Sequence, residues 1–491
     1  MTTTETTPDR DRWVALYVLC AGGLMIILDA SIVTVALPSI QRDLDFSQAD
    51  LAWVVNAYLV AFGGLLLLAG RLGDLLGRRT MFLSGLTVFT AASAVCGLAN
   101  SQLMLIAARF VQGIGGAMCS AVILGMIVTL FPDRQEQARA IGVFSFVGAA
   151  GASIGLIAGG LLTQLLTWHW IFFVNLPIGL AVGLLATAKI HADRGVGLAQ
   201  GADLIGAFLV TSGLMLGVYT IVGAAEHGWV SARTLGLSVL AVLLLVGFVV
   251  RQATAARPLL PLRLFRSRDL TGANIVQVFA VGGLFGFQFL TALYLERVLG
   301  FEPAQIGLAY MPVTIAIAAL SLGFSARLSE EFGERRVMLS GLFLILVGLA
   351  LLGRLPVDGS YWVDLLPAML ILGCGIGVML PAMTGLAMSG ATETDSGVAS
   401  GLYNTTQQVG AALGLAVLAT FASSRAASLQ DEGERLVVAL TSGYQLSYRI
   451  AVGFMAFAIV LAAVILRPRP RPRGAAVAED SGSSPTRQSE S

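Results

Sequence analysis

Fourteen apolar runs follow one another between residues 13 and 466 of this 491-residue chain. They cover 13–37, 51–70, 80–99, 103–130, 138–163, 169–189, 203–223, 234–252, 270–295, 304–327, 335–353, 362–389, 397–423 and 446–466. Each is about 19–28 residues long, and a helix of about 20 apolar residues crosses the hydrocarbon core of a bilayer. Hydrocarbon offers backbone N–H and C=O groups no partner, so such runs must be helices bonded within themselves. The chain is therefore expected to be an all-α polytopic membrane protein with 14 transmembrane helices. Its charged fraction of 12% is about half that of soluble domains.

Basic residues set the expected orientation. With the N-terminus inside, 22 of the 30 Lys and Arg residues fall in inner segments and 7 in outer ones. Both termini are thus expected in the cytoplasm, and the protein in the cytoplasmic membrane. Net charge is +1, which excludes a broad pull toward nucleic acid. Cys20, Cys96, Cys119 and Cys374 lie singly in apolar runs, without the spacing of a metal or redox site. No metal and no cofactor are expected. No cleavable signal peptide is expected either, because the first run is too long and lacks a small-residue cleavage site.

The chain repeats itself. Gly70-Arg-Leu-Gly-Asp-Leu-Leu-Gly-Arg-Arg79, between spans 2 and 3, returns 256 residues later as Ala326-Arg-Leu-Ser-Glu-Glu-Phe-Gly-Glu-Arg335, between spans 10 and 11. Leu83-Ser-Gly-Leu86 returns as Leu339-Ser-Gly-Leu342. A six-span unit makes spans 1–6 and 9–14 the halves and leaves spans 7 and 8 as an insert. The expected organisation is a cytoplasmic tail (1–12), an N-terminal six-helix bundle (13–192), two inserted helices with a cytoplasmic connector (193–269), a C-terminal six-helix bundle (270–467) and a disordered cytoplasmic tail (468–491). Parallel repeats of this kind describe a transporter whose site lies between the halves at the membrane midplane. The connector stretch 253–269 is basic and partly apolar, a composition that could lie on the anionic leaflet surface.

Asp29 is the only acid inside span 1, and Arg109 the only charge inside span 4. Asp29 lies eight residues short of Leu37, roughly 12 Å from the outer end at 1.5 Å per residue. Arg109 lies six residues past Leu103, roughly 9 Å from the same end. Two lone opposite charges at one depth are expected to pair, because an unpaired ion in hydrocarbon is expensive. The pair reads as a static structural bridge or as a proton-coupling site. Arginine keeps its charge, so in the second reading the aspartate titrates.

Other residues fall into three groups. Arg109, Gln112, Gly113 and Gly116 share one helix face, where the glycines admit a close neighbour. The inner loop with Gly70, Asp74, Gly77, Arg78 and Arg79 reads as a positive-inside anchor or as a conformational lock between two helices. Gly151, Gly155, Gly159 and Gly160, with Gly148, form a small-residue face on span 5. Neutral polar residues inside spans must face protein or a water-filled cavity. Asn404, Thr405, Thr406, Gln407 and Gln408 in span 13 therefore serve substrate contact or interhelix bonding. Asn56 and Tyr58 join Gln112, Asn404, Gln407 and Gln408 as expected cavity residues. Asn175, Asn274, Gln277 and Gln288 are further polar positions. Glu296 and Arg297 read as a solvated pair at the outer edge. His169, His191 and His227 fall near loops, unsuited to a proton relay.

Four motifs together resemble the fourteen-span drug:proton antiporters of the major facilitator superfamily. Leu28–Pro38 is similar to their span-1 signature L-D-x-T-I-V-N-V-A-L-P, with Ser31 for Thr and Thr34 for Asn. Gly70–Arg79 resembles the superfamily loop G-x-L-a-D-r-x-G-r-r, and Arg109–Ala117 resembles R-x-x-Q-G-x-G-a-A. Gly151–Gly160 resembles the antiporter motif G-x-x-x-G-P-x-x-G-G, departing at Leu156, where the motif has its hinge proline. Span 13 resembles a stretch that often reads N-T-x-R-Q, with Gln407 in place of the arginine.

The resemblance implies two six-helix bundles, alternating access and export driven by proton influx, with Asp29 and Arg109 in coupling. Asp29 is the only acid deep in either bundle, which points to neutral or singly charged amphipathic substrates such as antibiotics or secondary metabolites. Protons as the coupling ion, a small-molecule substrate, a lipid bilayer around it and a monomeric state complete the expectation. A proton-coupled importer on the same fold is the alternative. A membrane sensor would need a soluble domain that the chain lacks. An enzyme would need H-E-x-x-H, which is absent from the sequence, or G-x-S-x-G with a partner histidine, and the three histidines fall near loops.

Overall fold

A computed structural model describes residues 9–46, 48–191, 193, 195, 197, 203–255, 258–389 and 395–466. The expected tails at 1–8 and 468–491, and the side chains of Leu156 and His227, lie outside the described residues. The described residues form helices and turns, with no strand among them. Thirteen of the expected spans are long and apolar enough there to cross a bilayer. The remaining one, 138–163, is a 32-residue helix running Arg134–Leu165.

The first bundle comprises α1 (Asp9–Asp43), α2 (Gln48–Leu76), α3 (Arg78–Gly97), α4 (Gln102–Leu130), α5 (Arg134–Leu165), and the short α6 (Trp170–Phe173) running into α7 (Asn175–Lys189). The insert is the hairpin of α8 (Leu204–His227) and α9 (Ala232–Thr254). The second bundle begins with α10 (Arg268–Arg297). Its tenth expected span is broken into α11 (Pro303–Ala309), α12 (Met311–Gly323) and α13 (Ser325–Phe332). Pro303 and Pro312 stand at the starts of the first two pieces, where a missing N–H is tolerated. Helices α14 (Glu334–Leu352), α15 (Leu366–Met388), α16 (Ser396–Asp431) and α17 (Leu436–Ile465) complete it. The bundles meet along two seams, α2 and α4 against α16, and α5 against α11–α13 and α15. The insert covers the first seam: α8 packs on both α2 and α16. Helix α9 stands outside, with Val239, Leu243, Val246 and Val250 exposed as a lipid-facing stripe.

The sequence repeat recurs as geometry. Gly77 and Gly333 both precede a helix with positive φ, +100° and +83°, a conformation that favours glycine. Arg79 Nη2 then donates to Thr187 O near the end of α7 at 2.6 Å, and Arg335 Nη2 to Ala463 O near the end of α17 at 2.9 Å. In each half a reciprocal glycine pair lets two helices touch backbone to backbone: Gly85 with Gly115 between α3 and α4, Gly341 with Gly375 between α14 and α15. Hydrocarbon supplies little drive for helix association, so close van der Waals packing over small residues takes its place.

Replacing Gly115 or Gly375 with isoleucine is expected to destabilise the protein by roughly 1–3 kcal/mol through overpacking. Gly160→Ala should be silent, since nothing lies within 4 Å of the added carbon. Melting followed by size-exclusion chromatography in detergent tests both. A Gly115→Ile variant that melts with the wild type would contradict the close-packed glycine interface.

Candidate functional site: a buried charge cluster and a latch between the bundles

Span 1 and span 4 bring their lone charges together. Arg109 Nη1 donates to Asp29 Oδ2 at 2.6 Å, and both residues are only 1% exposed. Arg109 is held from two further sides. Its Nε donates to the Val54 carbonyl of α2 at 2.9 Å, and Nη1 also donates to Gln112 Oε1 at 2.7 Å. The Tyr58 ring lies 4.4 Å from the guanidinium carbon, within cation–π reach.

The second carboxylate oxygen is equally committed. Asp29 Oδ1 accepts from Gln112 Nε2 at 2.7 Å and from Asn175 Nδ2 at 2.9 Å. The same two amides donate to Ser93 Oγ of α3, at 2.7 and 3.2 Å. Asp29, Ser93, Arg109, Gln112 and Asn175 are thus a closed, buried polar network from α1, α3, α4 and α7, with a backbone carbonyl from α2. Such networks are stable only when every member is satisfied.

Two expected cavity residues are corrected by this packing. Gln112 is 0% exposed and Tyr58 2% exposed. The ion pair needs Gln112's amide, and Tyr58 is pressed between the guanidinium and Phe62, whose ring centroid lies 5.5 Å away. Asn175, one polar position among several in the sequence, is a full member of the cluster. Ser93 was missed, because a single serine in an apolar run carries no signal.

The glycine face of α5 clasps α1 from the other side. Side chains added at Gly151, Gly155 and Gly159 would meet Ile27, Leu28 and Ser31, and Ile32, one turn either side of Asp29. Gly160 faces open space. In α16, Asn404 Nδ2 donates to Ser120 O of α4 at 3.2 Å, across the seam. Thr406 donates to Asn274 Oδ1 at 2.9 Å, and Gln277 Nε2 to Tyr403 O at 3.1 Å. Part of the polar run in span 13 is therefore interhelix bonding. Asn56, Gln407, Gln408 and Gln288 are half-buried, and Glu296 and Arg297 are exposed at the outer edge.

The inner loop reaches further than a two-helix lock. Asp74 is 4% exposed, and its Oδ1 accepts from Arg78 Nε and Nη2 at 3.1 Å each. Asp74 also accepts from the Gly397 and Val398 N–H groups at 3.0 Å each. Those N–H groups lie in the first turn of α16, unpaired within the helix and at the positive end of its dipole. An acid of one bundle thus caps a helix of the other. Gly70 makes this approach possible, since an added carbon there would strike the Gly397 carbonyl. Asp193 completes the turn by accepting from Arg78 N at 2.7 Å and Arg79 N at 3.0 Å.

Part of the connector packs against protein. Leu259, Leu260 and Leu264 are buried against Leu67 of α2, Phe248 of α9, and Val398 and Leu402 of α16. These leucines share one buried cluster with α2, α8, α9 and α16, and their burial removes apolar surface from water. Leu262 and Phe265 remain exposed beside Arg266.

Removing the arginine should expose the cluster's dependence on charge balance. Arg109→Ala leaves Asp29 buried without its counter-ion and is expected to destabilise by about 3–5 kcal/mol. Asn175→Leu removes one donor and is expected to cost about 1–3 kcal/mol. Detergent melting curves of both variants check the order, and an Arg109→Ala melt at the wild-type temperature would dismiss the ion pair as a structural determinant.

Comparison with known proteins agrees with this architecture. A model of the Major Facilitator Superfamily matches residues 19–415. The chain is 38% identical over 469 residues to the puromycin resistance protein pur8 of Streptomyces alboniger, covering 94% of this chain and 93% of that one. It is 36% identical to the cephamycin export protein CmcT of Amycolatopsis lactamdurans, covering 84% and 85%. The fold resembles the crystal structure of the human organic anion transporter MFSD10, with a TM-score of 0.65 at 15% identity, covering 93% of this chain and all of that one. It also resembles the proton:xylose symporter XylE, with a TM-score of 0.62 at 14% identity, covering 94% and 100%. The matched length, the paired bundles and the repeated inner loop together make this chain a member of the Major Facilitator Superfamily.

Proposed function

We propose that the protein is a proton-coupled antiporter that exports small amphipathic antibiotics or secondary metabolites across the cytoplasmic membrane by alternating access. It works as a monomer, with both termini in the cytoplasm and protons as its coupling ion, without a cofactor. The observation that carries the proposal is the donor pattern around Asp29. Arg109, Gln112 and Asn175 all donate to its carboxylate. An ionised Asp29 satisfies them all. A protonated Asp29 brings an O–H that none of those three N–H groups can accept, so protonation must rearrange the cluster. Gln112 Oε1 is already taken by Arg109. The least disruptive response is a turn of the Asn175 amide, so that its oxygen takes the new proton.

The rearrangement reaches the bundle interface through α1. That helix touches the charge cluster on one face and the α5 glycines on the other, and α5 forms the second seam. Proton uptake from outside thereby favours release of the charge-held arrangement and the return to an inward-facing state. Deprotonation on the inside resets it. The coupling is limited by the difference in proton affinity between the two states. The names of two relatives, for resistance to puromycin and export of cephamycin, support antibiotics as the substrate class. Among the described residues the other buried carboxylates, Asp74, Asp203 and Asp395, lie at the cytoplasmic ends of helices. With Asp29 committed to Arg109, neutral or singly charged substrates fit best.

A susceptibility panel in a pump-deficient host tests the proposal, with wild type beside Asp29→Asn. Wild type should raise resistance to amphipathic antibiotics, and Asp29→Asn should return it to the empty-host level at equal expression. Full resistance in Asp29→Asn would remove Asp29 from coupling. In inverted vesicles an acidic interior should drive substrate inward, and the opposite sign would make the protein an importer.

A further inference from the structure

The sequence repeat can be followed into the interior of the second bundle, and there the charge cluster is not repeated. The 256-residue shift that matches Gly85 with Gly341 places Leu349 at the position of Ser93. The reciprocal glycine pairs match Gly115 of α4 with Gly375 of α15, which places Met369 for Arg109 and Leu372 for Gln112. The bonds to Thr187 O and Ala463 O align α7 with α17 and place Ala451 for Asn175. Leu349, Met369, Leu372 and Ala451 are all 0% exposed. Gly283 of α10 stands for Asp29: a carbon added there would lie 3.6 Å from Ala451 O, 3.7 Å from Met455 and 3.9 Å from Leu349. Every polar position of the first cluster is thus carbon in the second. The buried polar contacts that the second bundle does make are neutral, such as Thr291 with Tyr448 and Thr384 with Tyr403, each at 2.8 Å.

A proton carried through a transport cycle must be held by a group that each side of the membrane reaches in turn. Such a group has to lie between the helix ends. Besides Asp29, the acids inside the fourteen spans are Asp203 and Asp364, both within the first three residues of their runs. Buried Asp74 lies two residues from the end of α2, and buried Asp203 and Asp395 are the N-caps of α8 and α16. Successive spans alternate in direction, so these three acids share one side and exchange protons with that side alone.

Around Asp29 the charged or titratable neighbours are Arg109 from α4, Tyr58 from α2 and Cys96 from α3. Helices α5 and α7 bring glycines and the Asn175 amide. Arginine keeps its charge, and tyrosine and cysteine ordinarily give up their protons only at about pH 8 or above. Asp29 is left as the member that exchanges a proton.

We propose that one proton crosses per transport cycle, carried at Asp29, with the second bundle taking no part in proton transfer. The inference rests on the proton-coupled reading above and fixes its charge balance. Exchange of a neutral substrate for one proton moves one net charge, and so draws on both the pH difference and the membrane potential. Exchange of a monocation moves no net charge and draws on the pH difference alone. A dication would run against the potential. Neutral amphipathic compounds are therefore the substrates that an energised membrane exports most steeply.

Proton linkage counts the carrier without any ligand, since one proton taken up changes an equilibrium by at most tenfold per pH unit. Spin labels replace Pro132, just before α5, and Glu331 on α13, with partly buried Cys374 changed to serine. In lipid nanodiscs the ratio of the two distance populations should follow pH with a slope of no more than tenfold per unit, and Asp29→Asn should flatten it. A steeper slope, or a pH dependence that survives in Asp29→Asn, overturns the single carrier. A wild-type ratio that ignores pH overturns it together with the coupled reading. Proteoliposomes count the proton a second way and need no variant. At zero potential a tenfold proton gradient should hold chloramphenicol, or another neutral compound of the panel, at no more than a tenfold gradient. About 59 mV of added potential, tenfold for one charge, should raise that limit tenfold and leave the protein-dependent flux of ethidium, a fixed monocation, unchanged. A hundredfold gradient at zero potential, or ethidium flux that follows the potential, overturns the single proton. If no compound is moved, the export reading fails alone, because the linkage slope needs no ligand.

Discussion

The first bundle depends on one ion pair placed where water cannot reach it. A carboxylate and a guanidinium in hydrocarbon are tolerable only together, and only when their remaining valences are filled. Asp29 and Arg109 meet that condition by recruiting Gln112, Ser93, Asn175 and the Val54 carbonyl. Five helices are therefore positioned with respect to a single acid. The same closure makes the cluster sensitive to one proton. Every side chain facing the carboxylate donates, so its neutral form has no ready place in the network.

The second organising acid works at an edge rather than in a core. Asp74 supplies acceptors to orphan N–H groups at the start of α16 and balances Arg78 at the same time. That contact crosses between bundles, so it can exist only while these ends of α2 and α16 are together. Its strength comes from burial, a charge-assisted bond and the helix dipole acting at one carboxylate. The 256-residue repeat places Glu330 of α13 at the position of Asp74, where it is exposed and accepts from Gln135 Nε2 at 3.2 Å.

Glycines connect these two sites. Lipid-embedded helices associate by close packing more than by hydrophobic drive. The α5 stripe lies against α1 beside Asp29, and Gly70 lies against the α16 start beside Asp74. Each charged group thus sits next to a contact that tolerates no added side chain.

The sequence by itself determined the class, the spans, the repeat and the Asp29–Arg109 pairing. Those follow from length against bilayer thickness, from periodicity, and from the expense of a lone charge in hydrocarbon. It also marked Gly70–Arg79 and the glycine face of span 5. It did not show that Ser93 and Asn175 complete the cluster, or that Gln112 and Tyr58 are packed rather than lining a cavity. Nor did it reveal that Asp74 holds the opposite bundle, or that Leu259, Leu260 and Leu264 are buried with residues of α2, α9 and α16. A lone charge states its need for a partner in one dimension. Neutral polar groups and leucines accept many partners, and only the tertiary packing of helices far apart in the chain decides which.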